Sequence, residues 1–481
     1  MTGPVPLPPL ARGPVLAAAA TVAAVLTALS TRYGYHRDEL YFRMLDPAWG
    51  YVDQPPLVPW LARTLGDEVW LLRLPATACA ATSVVLVALL CREVGGGRTP
   101  QAFVAWAYAG TTACLDFGHV LLTSSLDLVL WPLVVWLVVR AELRGRPRLW
   151  LVAGLVAGLA SYAHLLVAVL LAGIALGLLL VGPRSRLLDL RVLGGGVLAL
   201  LVALPNVVYQ ATHDWPQLAM GDALAENNAG EVRWFMWVFL VIVLGPVLVP
   251  VWWSGLVGLW RREEWRPVRF LVPASALVVV FTFVGGSQPH YPTFVLVALL
   301  GIGAAALGDR LGRPGWWVAA ALNAAVAAVI SLPLLPLGLV GRTPVPDLNL
   351  LIADQVGWPA YGAQVQAAWE SVPAEEREHA VVMTGNYGEA GALDRFAADI
   401  PVVSGQNALH DQTRPPDDTT VVVTVGWFLE DVRRLFASCE VVDELDNGVD
   451  VANEEQGAPV AVCRGPVQPW SVLWPRLRHL D

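Results

Sequence analysis

The sequence predicts a polytopic α-helical membrane protein of about eleven transmembrane helices, with a water-exposed α/β domain at its C-terminal end. Three observations predict it. Hydrophobic residues make up 56% of the 481-residue chain and charged residues only 15%, with a mean hydropathy of +0.55, which is too apolar for a string of soluble domains. Apolar runs of about 17–25 residues recur along the first 340 positions, each long enough to cross a hydrocarbon core of roughly 30 Å. From Asp354 onward charge returns, and short β-branched runs alternate with helical patterns.

The spans are expected near 14–32, 69–91, 101–115, 119–139, 149–163, 164–181, 192–211, 234–260, 270–285, 291–308 and 315–340. The runs at 149–181 read as a hairpin bent near Ser161 to His164. The first run, Val15 to Ser30, lacks a charged start and leads into a polar loop, so it reads as a retained helix rather than a cleaved signal. An odd number of spans puts the two termini on opposite sides. The short loops at 92–98, 140–148, 184–191, 261–269 and 310–313, together with Arg12, hold sixteen arginines, against four in the opposite short loops, Arg37, Arg43, Arg63 and Arg233. The arginine-rich side is therefore cytoplasmic, and the loop 33–68 and everything after about Gly341 face outward. This gives a membrane domain, 1–340, that includes the outer loop 33–68, and an extracytoplasmic domain, 341–481.

The net charge of −9 and basic residues strung between apolar runs argue against a nucleic-acid partner, which would need a basic patch. Lysine is absent, so arginine is the only permanent side-chain cation. Cys79, Cys91 and Cys114 lie in or beside apolar runs and are assigned no function. Cys439 and Cys463 lie beside expected strands of the outer domain, where oxidation is permitted, and are a candidate disulfide.

In the C-terminal domain, strands are expected at Ala380 to Thr384, Thr419 to Val425, Glu440 to Asp443 and Val460 to Cys463. The segment GNYGEAGAL, Gly385 to Leu393, follows a strand and opens a helix, a context able to hold phosphate. It lacks the full dinucleotide fingerprint, so packing and capping are the favoured reading.

Chemistry concentrates in the first outer loop, YGYHRDELYFRMLDPAWGYVDQPPLVPW, Tyr33 to Trp60. Adjacent carboxylates Asp38 and Glu39, the further acids Asp46 and Asp53, and the cations Arg37 and Arg43 stand among the aromatics Tyr33, Tyr35, Tyr41, Trp49 and Tyr51. Interfacial amphipathic helices suit such a stretch. The competing reading is a solvated loop whose acids pair with its own arginines, with its aromatics anchoring at headgroup depth. Polar residues elsewhere map to the same face: His119 and Asp127 at the outer end of the fourth span, His164 near the next outer turn, and Gln288, His290 and Tyr291 before the tenth. An ionisable group in a span is costly, which makes Asp127 and His164 functional candidates. Asp38, Glu39, Asp127 and His119 can also gather round a divalent metal cation, although their spacing fits no specific metal motif.

These motifs resemble the membrane glycosyltransferases of the C-type superfamily, specifically the family 39 group of protein O-mannosyltransferases and the lipid A aminoarabinose transferase. HRDELYF followed by GYVDQPPL resembles that group's aspartate-glutamate signature and downstream double proline, Pro55 and Pro56. GHVLLTSSLDLVLW, Gly118 to Trp131, resembles the segment that carries a second acid, here Asp127. The likeness extends through LPNVVYQATHDWP, GGSQPHYP, QVGWP, TGNYGEAGAL and SGQN. Gln54 stands where relatives often have a basic residue, and His164 and Gln288 stand where lysine is frequent.

The resemblance implies the C-type glycosyltransferase fold and an inverting glycosyltransferase, a hexosyl- or pentosyltransferase of the cytoplasmic membrane. It would move sugar from a polyprenyl-phosphate donor to an acceptor glycan, lipid or protein at the outer membrane face, among membrane lipid. In that reading Asp38 is the base, Glu39 and Asp127 orient it or hold a metal, and Arg37, Arg43, His119, His164, Gln288, His290 and Tyr291 contact substrate. The alternatives are a transporter or flippase for an amphiphile, or a non-catalytic binder of a polyprenyl-linked substrate. The arginine asymmetry makes a direct prediction: reporter fusions at Arg146 and Asn407 should read cytoplasmic and external respectively. Matching readings at the two sites would defeat the odd span count.

Overall fold

The computed structural model describes residues 7–481. By their internal contacts these fall into two compact units, one of residues 7–30, Gln54–Leu57 and Arg73–Leu332, the other of Thr31–Asp53, Val58–Leu72 and Pro333–Asp481.

The first unit is helical. Among the described residues, five helices are long and apolar enough to cross a membrane: Arg12–Leu29, Val69–Glu93, Leu190–Thr212, Thr293–Gly312 and Pro314–Ser331. A sixth forms if the bent pair Val232–Leu244 and Pro246–Arg261 is one span. Shorter apolar helices run over Leu149–Ala160, Val167–Leu180 and Leu271–Gly285. Outward faces are apolar: along Pro314–Ser331, Val318, Leu322 and Val326 recur at helical spacing and are 60%, 65% and 61% exposed. In water such a stripe would be costly, whereas lipid is its natural solvent. The protein is a multi-pass membrane protein.

Without a hydrophobic drive between helices in lipid, small residues let backbones approach closely. A Cβ at Gly154 would lie 2.0 Å from the Gly195 carbonyl oxygen, and one at Gly158 would lie 2.9 Å from that of Ala199, so Leu149–Ala160 and Leu190–Thr212 pack through glycine and alanine. A Cβ at Gly303 would lie 1.8 Å from the Val251 carbonyl oxygen, which makes the same device hold Val249–Arg261 against Thr293–Leu307.

The expected span 315–340 ends early, at Ser331, and two others are interrupted. The run 101–115 breaks into Arg98–Ala109 and Thr112–His119, because the Thr111 hydroxyl accepts the Cys114 N–H and starts a new helix. The run 234–260 bends by 88° at Gly245, whose φ of 86° is open to glycine and strained for other residues. The expected bend near Ser161 to His164 lies between Leu149–Ala160 and Val167–Leu180.

The second unit holds a five-stranded sheet of order β2-β1-β3-β5-β4. Its strands are β1 Ala380–Thr384, β2 Val402–Ser404, β3 Val421–Val425, β4 Phe436–Glu444 and β5 Pro459–Pro466. β1 pairs in parallel with β2 and β3, and β5 pairs antiparallel with β3 and β4. The expected strands are present, and β2 is an addition: three residues are too short to announce themselves as a β-branched run. The parallel strands are buried on both faces, as their valine-rich composition requires.

The loop that the sequence assigns to the membrane domain groups instead with this sheet. Helix Arg37–Met44 packs on helix Tyr387–Phe396, and the glycines of the latter make this possible: a Cβ at Gly391 would lie 2.5 Å from the Leu40 carbonyl carbon, and one at Gly388 would lie 2.8 Å from the Arg37 Cβ.

Cys439 and Cys463 face each other across β4 and β5 and are joined as a disulfide, with Cα atoms 4.0 Å apart. Cys79, Cys91 and Cys114 are free thiols. Thiol labelling of denatured, unreduced protein should therefore find three thiols, rising to five after reduction. Five before reduction would refute the bridge.

Candidate functional site

Each unit carries one concentration of the residues selected from sequence. In the second unit they sit at the start of helix Arg37–Met44. His36 caps this helix: its Nδ1 accepts the Asp38 N–H at 3.2 Å, while the Glu39 carboxylate accepts the His36 N–H at 2.8 Å. This reciprocal capping box satisfies two first-turn donors. It also separates the adjacent acids. Glu39 is fully buried and bound into the cap, whereas Asp38 is half-buried and its carboxylate takes no part in the cap.

The Tyr387 hydroxyl donates to Asp38 Oδ1 at 3.0 Å. Tyr387 is itself fixed by three contacts: its N–H donates to Gln406 Oε1 at 2.7 Å, its ring lies 4.6 Å from that of Tyr41, and the Arg37 guanidinium stands 4.8 Å over its face. Arg37 is further held by Glu454 and by its backbone N–H to the Asp354 carbonyl. Arg43 pairs with Asp67 at 3.3 Å and lies 5.4 Å over the Tyr35 ring, while its Nε and Nη1 make no hydrogen bond. Asn386 and Glu389 form a second capping box, so GNYGEAGAL caps and packs.

Asp53 lies nearby, 3.5 Å from Asn407 Nδ2. Burial pushes its carboxyl up to about 7, with the Asp38 charge adding to the shift and Tyr41 and Asn407 opposing it. Burial likewise pushes Asp354 up to about 7 against the lowering effect of Arg37.

In the first unit, buried Asp127 near the start of helix Thr123–Leu143 accepts from His164 Nδ1 at 2.9 Å. The ring of Tyr291 lies edge-on to that of His164 at 4.8 Å and to that of His290 at 4.9 Å, and His290 Nε2 is 2.9 Å from Ser124 Oγ. These side chains come from the beginning of one helix, the 161–166 break and the 286–292 turn. Gln288 occupies that turn, where its carbonyl accepts the Tyr291 N–H. A carboxylate on Nδ1 fixes the imidazole's orientation and leaves Nε2 for a proton or an anion. His119 instead lies 3.2 Å from Arg73 Nη1, and Arg73, fully buried, also donates to the Ser30 carbonyl at 2.6 Å.

Among the described residues, no group of three or more His, Cys, Asp or Glu side chains is placed to hold a metal ion. The residues that sequence reasoning did not select are Tyr387, Gln406, Asn407, Asp354, Glu454 and Arg73. Tyr387, Gln406 and Asn407 stood in quoted segments, TGNYGEAGAL and SGQN. Arg73 carried its own signal as a lone charge inside a long apolar helix.

The family model described as dolichyl-phosphate-mannose-protein mannosyltransferase matches residues 53–209. The structure of ArnT from Cupriavidus metallidurans bound to undecaprenyl phosphate is similar at TM-score 0.60 and 17% identity, over 92% of this chain and 97% of that one. Its apo form gives TM-score 0.62 at 16% identity, with the same coverage. The chain shares the fold of these structures, and its residues 53–209 carry the match to that family model. Arabinofuranosyltransferase AftD from Mycobacteria is similar at TM-score 0.51 and 12% identity, over 94% of this chain and 40% of that one. A sequence comparison with curated proteins finds no match.

Asp53 gives the protein a pH dependence with a defined sign. A carboxyl whose folded pKa stands above its unfolded value binds its proton more tightly when folded, so stability falls as pH rises from about 4 to about 7 and then levels. Asp53→Asn should melt like wild type near pH 4 and higher than wild type at pH 8, by the equivalent of on the order of 4 kcal/mol. Asp354 leaves a residual slope in the same window. Thermal melting across that range checks this, and parallel curves for the two proteins would contradict it.

Proposed function

We propose that the protein is an inverting glycosyltransferase that moves a sugar from a polyprenyl-phosphate donor to a hydroxyl of an acceptor glycan, lipid or protein at the outer face of the cytoplasmic membrane. The observation that carries this reading is Asp38: within a C-type fold, it is a half-buried carboxylate oriented by the Tyr387 hydroxyl, beside a Glu39 committed to a cap. The arginine asymmetry supports the outer face.

In the proposed step Asp38 takes the acceptor hydroxyl proton as that oxygen attacks the anomeric carbon. The bond from that carbon to the phosphate oxygen breaks, and the polyprenyl phosphate leaves with the electron pair. A phosphate ester is a competent leaving group, so one base suffices, unlike the acid and base pair of glycoside hydrolysis. Glu39 acts as a positioning residue. Arg37, matched by carboxylates, holds Tyr387 in place, while Arg43 is the candidate cation for the donor phosphate.

The test is turnover of a labelled undecaprenyl-phosphate sugar by the purified full chain in matched detergent. Asp38→Asn keeps the side chain's shape and should lower transfer about 100-fold or more, with melting little changed. Near-wild-type turnover by a folded Asp38→Asn protein would remove it from the mechanism.

A further inference from the structure

A groove of about 830 Å³ lies in the first unit, at the end where helices Arg12–Leu29 and Arg98–Ala109 begin and Val69–Glu93 ends. Its lining combines three cations, Arg12, Arg92 and Arg98, with apolar Leu10, Ala102 and Trp317. Among the described residues none of the three arginines is in an ion pair, and the acid nearest in sequence, Glu93, is already bound by Arg140 and Arg144. The groove is thus positively charged and uncompensated.

It is also built. Arg92 Nε donates to the Pro8 carbonyl at 2.8 Å, the Ala11 N–H donates to Gln101 Oε1 at 2.9 Å, and Gln101 Nε2 donates to the Gly96 carbonyl at 2.8 Å, so buried Gln101 ties the segment before the first helix to the start of the other. Neither helix has a side-chain cap, since Ala11 and Gly97 occupy the cap positions. Their positive dipole ends add to the arginine field.

One helical turn beyond Arg12, Leu16 is 57% exposed on a face suited to lipid. A ligand that fits has a phosphate for the arginines and an acyl chain for that face. We propose that this groove docks the headgroup of an anionic phospholipid, at the arginine-rich end of the bundle and independently of the sugar-transfer reading. Juxtamembrane arginines attract anionic lipid in an additive way, and here three of them converge on one concavity.

The experiment titrates the full chain, in uncharged detergent, with phosphatidylglycerol or with phosphatidylcholine of the same chains, and reads bound lipid by native mass spectrometry. Wild type should prefer phosphatidylglycerol. Arg12→Gln and Arg98→Gln should each weaken its binding about fivefold, and R12Q/R98Q about 20-fold or more. R12K/R98K should retain most of it, and R184Q/R191Q, which removes arginines from another loop, should leave it unchanged. Melting in lipid-free detergent controls for folding, and the single variants carry the test if R12Q/R98Q does not fold. Equal phosphatidylglycerol binding by wild type and the Gln variants would overturn the proposal, as would no preference over phosphatidylcholine. Full displacement of the lipid by millimolar inorganic phosphate would reassign the groove to a free anion and equally overturn it.

Discussion

A charged side chain inside a hydrocarbon medium is costly without a counterpart, because no water is there to replace one. That constraint organises the helical unit. Asp127 is met by His164, and buried Arg73 by His119 and the Ser30 carbonyl. Several of these partners stand at helix ends. The interruptions at 110–111 and 161–166 and the turn at 286–292 are where backbone leaves the helix and polar side chains collect. Elsewhere glycine and alanine bring helices into backbone contact, which needs no polar group at all.

The same accounting of donors and acceptors separates Asp38 from Glu39 in the other unit. A helix start leaves N–H groups unsatisfied. Here Glu39 turns back to the His36 N–H, and His36 receives the Asp38 N–H. One acid is consumed by secondary structure, which leaves its neighbour's carboxylate to the Tyr387 hydroxyl. Two carboxylates that look equivalent in the sequence thus have different environments for a local reason.

Membrane character was legible because apolar run length is a one-dimensional property. The Asp38–Glu39 segment was legible because its acids and aromatics are crowded within one loop. Less legible were features set by tertiary contact. The run 101–115 is mostly apolar, and the Thr111 cap divides it. The outer loop reads as an appendage of the membrane helices, yet its packing partner, Tyr387–Phe396, lies more than three hundred residues away. Arg37 carries the same charge whether it is free or neutralised, and only the fold reveals that Glu454 and the Tyr387 ring already occupy it. Arg73 was visible as a charge in an apolar helix but had no motif to explain it.

In the proposed transfer the leaving group is good and one base is enough, so the demand on the protein shifts from acidity to orientation. Proximity effects of this kind are lost when a reacting group moves by about an ångström. Asp38 is oriented by the Tyr387 hydroxyl, and Tyr387 by Gln406, Tyr41 and Arg37. All of these presuppose the separation of two short helices. That separation is set by Gly388 and Gly391, where even a methyl group would meet the Arg37 side chain or the Leu40 backbone. Residues with no chemistry of their own therefore fix where the carboxylate points, which gives the glycines of GNYGEAGAL a role in the geometry of the base without any contact with a phosphate.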